Sequence, residues 1–381
     1  MSVLPVTPPR RLAAVLAVGL IALPWAVPFQ ARQATAPVAP AARATPAAAL
    51  PALSNAEFWR ISTQLSEPDG TFHSENLVSN EARFQSVLPE LEKTAVAGRA
   101  YVGVGSEQNF SYITTVRPTH VFILDIRHGN LDLHLLYKAF FETSADRADF
   151  VSKMFARPRP AGLTTSSTAR QIFDAFEAVP PSQALRDRNL QAAIAYLTTQ
   201  RGFPLSAGDR DGMAYVYNAW YSNGPNIRYQ LTNQGGFGRG GFGGVTYASL
   251  MTSDDGTGRN RSYLATEESW QFLKGLHQRN RIVPVVGNFG GPKALRAVAS
   301  YLREHKMVVS AFYASNVEQY LRQDGIWDAF CASAATLPMD ASTTLIRSER
   351  GGFQGARNAQ GGGFALQLLP LQQVVGTCGT K

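Results

Sequence analysis

Apolar runs alternate with helical patterns in two separate parts of this chain, and glycine turns divide them. Residues 100–102 end a short apolar run that breaks at Gly103-Val104-Gly105. Residues 106–116 then read as a helix, with Phe110, Ile113 and Val116 at three-residue spacing. Arg117-Pro118 stops it, because proline removes a donor and crowds the preceding turn. Residues 121–124 form a second apolar strand, closed by Asp125 twenty residues after Gly105. Strand, glycine turn, helix, strand and terminal carboxylate predict the first half of a nucleotide-binding parallel sheet.

The alternation returns later. A strand over 282–286 runs into Gly287-Asn288-Phe289-Gly290-Gly291-Pro292, a helix follows over 293–305, then a strand over 307–312. A helix over 315–322 opens at Ser315 or Asn316. Right-handed crossovers between parallel strands, with helices on both faces, are expected from this order. The first strand is expected beside 282–286, with a switch point between them. Asn288 and Asn316 should then emerge at the carboxyl edge, where open α/β sheets bind ligands. An amide suits orientation rather than proton transfer, and Asn288 reads equally as a turn residue. Residues 343–346 and 364–369 read as edge strands, with a glycine-rich loop at 351–363.

Around these units lie helical segments. Ser54-Asn55-Ala56-Glu57 is a capping box opening a helix through residue 65. After Pro68-Asp69-Gly70, the preface continues over 72–91, where Leu77, Phe84, Val87 and Leu88 are expected to pack on the sheet. Asn76, Ser79, Asn80 and Glu81 form a dense polar group, either caps and surface residues or a lid over the carboxyl edge. Residues 143–280 read as a mainly helical insertion, with an amphipathic helix at 183–198 and another helix at 260–277. The Tyr- and Trp-rich stretch 212–220 reads as core or as a stacking surface, and GGFGRGGFGG at 235–244 as a low-complexity loop. The fold expected is α/β: a doubly wound, mainly parallel sheet in one domain over 54–381, with a helical preface and the 143–280 insertion.

The glycine turn also carries the candidate chemistry. Glycines let the backbone pass close to a ligand, and a helix start offers unpaired N–H groups. A dinucleotide turn would carry a third glycine nearby, but this chain places Glu107 two residues past Gly105. A carboxylate suits the helix dipole, would repel a diphosphate, and would accept an ammonium or sulfonium group. S-adenosylmethionine carries both and no phosphate. Asp125 would accept hydrogen bonds from ribose hydroxyls, or else serve as an N-cap. Gly103, Gly105, Glu107, Asn109, Asp125, Asn288 and Asn316 are expected to line one cleft for a small-molecule ligand. No catalytic residue is assigned.

Charge and cysteine content narrow the rest. Arg10-Arg11 precede the uncharged stretch 12–29, which Pro24 and Pro28 interrupt. That pattern predicts an export signal or membrane anchor over 1–30, and so a periplasmic or inner-membrane-anchored protein touching membrane only there. Residues 31–53 are an Ala/Pro-rich linker. Of the net charge of +8, three charges are Arg10, Arg11 and Arg32. The remaining five are scattered, so no nucleic-acid partner is expected. Cys331 and Cys378 are the two cysteines, read either as one disulfide or as two buried thiols. The six histidines show no metal-ligand spacing, so no metal is expected. No order of Ser, His and Asp supports a hydrolase.

NLVSNE, YVGVGSEQNF, FILDIR, GNFGGPKAL and FYASNVEQYL together resemble an uncharacterised bacterial family with an S-adenosylmethionine-dependent methyltransferase-like (Rossmann-like) fold. The resemblance spans most of 54–325. It implies that Gly103 and Gly105 correspond to the methyltransferase glycine turn and Asp125 to its ribose-binding acid. Tyr101 stands where such enzymes usually carry an acid, and Glu107 where a third glycine is common. The family implies no particular reaction, so three readings stand: a methyltransferase-like enzyme, a non-catalytic module that binds a small ligand, and a structural or partner-binding envelope protein.

Overall fold

The computed structural model describes residues 52–229, 245–350 and 364–378. The 1–30 segment, the linker 31–53 up to residue 51, the 235–244 run and the 351–363 loop lie outside the described residues. No helix among the described residues is long and apolar enough to cross a membrane.

The chain is α/β, built on one mixed sheet. Strands β1 (Ala100–Val104), β2 (His120–Asp125), β3 (Ile282–Val286), β4 (Val309–Ser315), β5 (Thr344–Arg350) and β6 (Phe364–Pro370) pair in the order β3-β2-β1-β4-β5-β6. β1 to β5 run parallel, and β6 closes the sheet antiparallel to β5. β2 and β3 are buried throughout, as expected of parallel strands covered on both faces. The connection from β1 to β2 passes through the helix Gln108–Val116 toward one side of the sheet. The connection from β3 to β4 passes through the helix Ala294–Glu304 toward the other. With right-handed crossovers, opposite directions of travel put these helices on opposite faces.

This order corrects one expectation. β1 lies between β2 and β4, and β3 pairs with β2 instead of β1. The insertion returns the chain outside β2, so β3 becomes an edge and the direction change falls between β1 and β4. As an edge strand β3 tolerates Pro284. Its outer side is covered by the helix Asn55–Leu65 and the residues after it. Ser62 Oγ donates to the Pro284 carbonyl at 2.6 Å, Val286 N–H donates to Ser66 Oγ at 2.8 Å, and Glu67 N–H donates to the Val286 carbonyl at 2.8 Å. The edge is thus satisfied from within the chain.

Two helical expectations shift. Over 72–83 the chain is irregular, with a 3₁₀ turn at Phe84–Val87 and a helix only at Leu88–Thr94. Asn76 there is left-handed at φ 47°, and short polar side chains compete with helical bonding. The helix expected over 260–277 begins at Glu267, because Thr266 Oγ1 caps it by accepting from Ser269 N–H. The helix His128–Thr143 carries no clear signal in the sequence. Thirteen of its sixteen residues are buried, so its nearly all-round burial hides the 3.6-residue period.

Cys331, on the helix Trp327–Ala334, forms a disulfide with Cys378 beyond the last helix, Leu371–Gly376. The cross-link spans 47 residues, which in the chain-entropy account amounts to about 4 kcal/mol. Reduction, or Cys378→Ser, is expected to lower the stability read by denaturant unfolding by about that much. An unchanged midpoint would mean that the tail contributes nothing to the fold.

Candidate small-molecule site

The carboxyl ends of β1 to β4 open on a cavity of about 460 Å³. Registers explain the convergence: Val104 is level with Leu124, and Asp125 is level with Val286. The turns after β1, β2 and β3 therefore leave the sheet side by side. Gly105, Asp125, Asn288 and Asn316 line the cavity, as do Asn76, Ser79 and Asn80 from the segment before β1. Gly103, Glu107, Asn109 and Glu81 do not; the structure holds them behind its wall.

The first turn shows why. Gly105 has φ +78°, which favours glycine, and its carbonyl accepts from His134 Nε2 at 2.9 Å. Gly103 is needed for packing. A Cβ there would stand 1.9 Å from Asn109 Oδ1. Asn109 is fully buried; its Oδ1 accepts from Tyr101 Oη at 2.9 Å, and its Nδ2 donates to the carbonyls of Val104 and Ser106, both at 2.8 Å. Asn109 therefore locks the turn from inside instead of meeting a ligand. Tyr101, which replaces the acid of the resemblance, is one of its anchors.

Glu81 organises the floor. Gln108 Nε2 and Tyr313 Oη donate to its Oε2, the latter at 3.0 Å, and Ser315 Oγ donates to its Oε1 at 2.7 Å. Ser79 Oγ donates to Gln108 Oε1. These bonds join the segment before β1, the first turn of the helix Gln108–Val116 and the end of β4. Burial pushes the Glu81 carboxyl up from its ordinary value, against the lowering by these donors. Ser315 is left-handed at φ 51°, a costly conformation for serine that its bond to Glu81 helps hold.

Asp125 meets an unexpected partner. Its Oδ1 accepts from Arg127 N–H at 3.0 Å and Arg127 Nε at 3.1 Å, and its Oδ2 accepts from the second guanidinium nitrogen at 3.3 Å. Asn288 behaves as the turn residue of its alternative reading: Oδ1 accepts from Gly290 N–H at 2.9 Å. The glycine turn after β3 is filled by a residue that sequence reasoning missed. Glu67 Oε1 accepts from the N–H groups of Lys293 and Ala294 at 2.8 and 2.7 Å, and Oε2 from Asn288 N–H at 3.1 Å. Gly291 makes room, since a Cβ there would stand 2.3 Å from Glu67 Oε2. Only spatial proximity reveals this cap.

The cavity also has an aromatic wall, which no sequence signal marks. Phe72 packs on His73 at 4.1 Å and edge-on to Tyr320 at 4.9 Å between ring centroids, and all three line the cavity with Tyr229. Asp125 and Asp324 are the carboxylates of the described lining, which includes no Lys or Arg.

A family model described as a domain of unknown function (DUF7790) matches residues 76–166 and 246–376, more than half of the chain. The chain belongs to that family. Comparison with curated proteins finds no match. The DUF7790 match begins at Asn76 and includes the polar segment, the glycine turn, Asp125 and all of β3 to β5. It leaves out 167–245, most of the helical insertion, and Glu67.

Glu107 is the sharpest departure from expectation. It is fully buried, with Oε1 accepting from Ser79 N–H at 3.1 Å and Oε2 without a partner among the described residues. Burial pushes its carboxyl up to about 7. A folded-state value raised above 4.5 favours the protonated fold, so that stability is present at low pH and lost as pH rises from about 4.5 to 7. The loss is on the order of 3 kcal/mol. Glu107→Gln should remove this fall, so the variant gains on the native chain across that window in urea unfolding; parallel pH curves would place Glu107 in water. Gly103→Ala should cost at least about 2 kcal/mol in the same assay, because Asn109 must leave its buried bonds; a cost under about 0.5 kcal/mol would mean that the turn is not locked.

Proposed function

We propose that the sheet is a Rossmann-like, methyltransferase-like fold and that the cavity binds a nucleoside-type ligand carrying positive charge and no phosphate, of the S-adenosylmethionine kind. The observation that carries the reading is the joining of the Gly105 turn after β1 and Asp125 after β2 in one cavity whose described lining is acidic and aromatic. The order β3-β2-β1-β4-β5 supports it, since nucleotide-binding sheets place ligands across a switch point of this kind. Glu107 faces inward, so attraction for a cation falls to Asp125, Asp324 and the aromatic faces. Phe72, His73, Tyr229 and Tyr320 would pack against the ligand's rings.

A second reading, a non-catalytic module that binds a small ligand, is favoured by the Arg127 guanidinium already seated on Asp125. In the same proposal, residues 1–30 direct export or anchor the chain facing the periplasm. Export favours this second reading, because that compartment is not expected to supply S-adenosylmethionine.

Calorimetric titration of the full-length protein with S-adenosylmethionine, S-adenosylhomocysteine, adenosine and NAD separates the readings. The cationic, phosphate-free ligands should bind more tightly than NAD. Asp125→Ala should weaken them by about tenfold to a hundredfold, the worth of a charge-assisted contact. Adenosine binding that gains nothing from the methionine moiety would favour the binding module. No binding by any of the four would overturn both readings of the cavity.

A further inference from the structure

We propose that His128, Asp132 and Asp209 form a binding site for one divalent transition-metal cation, beside the rim of the cavity. His128 and Asp132 stand one turn apart at the start of the helix His128–Thr143, and Asp209 lies in the first turn of Ala207–Asn223. One donor atom from each lies within 4.8 Å of the others. His128 Nε2 is 2.7 Å from Asp209 Oδ1 and 3.8 Å from Asp132 Oδ1. Ligands about 2.1 Å from a metal stand about 3.0–3.5 Å apart at ordinary angles, so small side-chain rotations complete the set.

An ordinary ion pair explains less. Two carboxylates face the same ring nitrogen, and its single proton serves Asp209. Asp132 is 3% exposed, and its Oδ1 has no hydrogen-bond partner among the described residues. A buried carboxylate oxygen left that way costs free energy, and a cation between the three would satisfy it. The packing makes room for this carboxylate: a Cβ on Gly212 would stand 2.0 Å from Asp132 Oδ2. Asp209 Oδ2 is held by Ser206 N–H at 2.7 Å, which leaves Oδ1 directed to His128. Asp69 adds a third carboxylate, accepting from His128 N–H at 2.6 Å. His128 keeps 41% of its side chain exposed, which gives an ion a way in.

One imidazole with two carboxylates suits zinc or manganese, since imidazole is a poor ligand for calcium or magnesium. The spacing of four between His128 and Asp132 was visible in the sequence; the third ligand is not, because Asp209 comes from another helix. An ion there would tie the two helices together. It would also steady the neighbouring Asp69–Thr71 and Asp125–Ile126 backbones, which a 2.8 Å bond from Gly70 N–H to the Ile126 carbonyl already joins at the cavity rim.

The test uses full-length protein stripped with a chelator and titrated calorimetrically with Zn²⁺ and Mn²⁺, with Ca²⁺ and Mg²⁺ alongside. One equivalent of Zn²⁺ or Mn²⁺ should bind and raise the melting temperature. Asp132→Asn should weaken binding about tenfold or more and shrink the thermal shift at the same metal concentration, while the metal-free variant is no less stable than the metal-free native chain. If Asp132→Asn fails to fold, His128→Gln, at a half-exposed position, provides the same comparison. Absence of binding, equal affinity for Ca²⁺ and Zn²⁺, or native affinity in the variant would each overturn the proposal.

Discussion

The buried carboxylate of Glu81 is the constraint on which the arrangement of this cavity depends. A carboxylate without water requires donors on both oxygens, and the penalty for leaving one unmet exceeds the net worth of any single bond. Its donors come from two places far apart in sequence: Gln108 at the start of a helix, and Tyr313 and Ser315 at the end of β4. Satisfying Glu81 therefore brings the ends of β1 and β4 into one register with the polar segment at 76–81. That segment becomes a wall of the cavity, with Leu77, Phe84 and Leu88 buried beneath it. The left-handed Ser315 and Asn76 both line the cavity, and the bond from Ser315 to Glu81 helps hold one of these strained residues in place.

Much of the sheet could be read from the sequence because its signals are local. The 282–286 run and Gly105 each state their conformation within a few residues, as does the asparagine-glycine turn after β3, but Gly103 and Val104, expected in the turn, continue β1. Strand order is different. Nothing within 282–286 says whether it pairs with β1 or β2; that follows from where the long insertion returns the chain. The site residues divide along the same line. Gly105 and Asp125 reach the cavity because strand ends determine where they point. Nearness to the turn suggests that Asn109 and Glu107 enter it too, but the start of the helix Gln108–Val116 directs both side chains inward. Asn109 then serves Gly103, and Glu107 meets Ser79.

Electrostatics at this sheet edge follow from where the chain places its own acids. Helix starts and glycine turns ordinarily attract anions through exposed N–H groups. Here Glu67 fills the turn after β3, accepting from three backbone N–H groups, and Glu107 takes Ser79 N–H beside the turn after β1. Arg127, the cation nearest the end of β2, is spent on Asp125 and on the Glu75 carbonyl. At the turn after β3, an incoming phosphate would have to displace a carboxylate that already holds the amides. Among the described residues it would also find no lysine or arginine in the cavity lining. The two glycine turns at this edge thus meet acids of the chain itself: Glu67 caps the turn after β3, and Glu107 is buried beside the turn after β1.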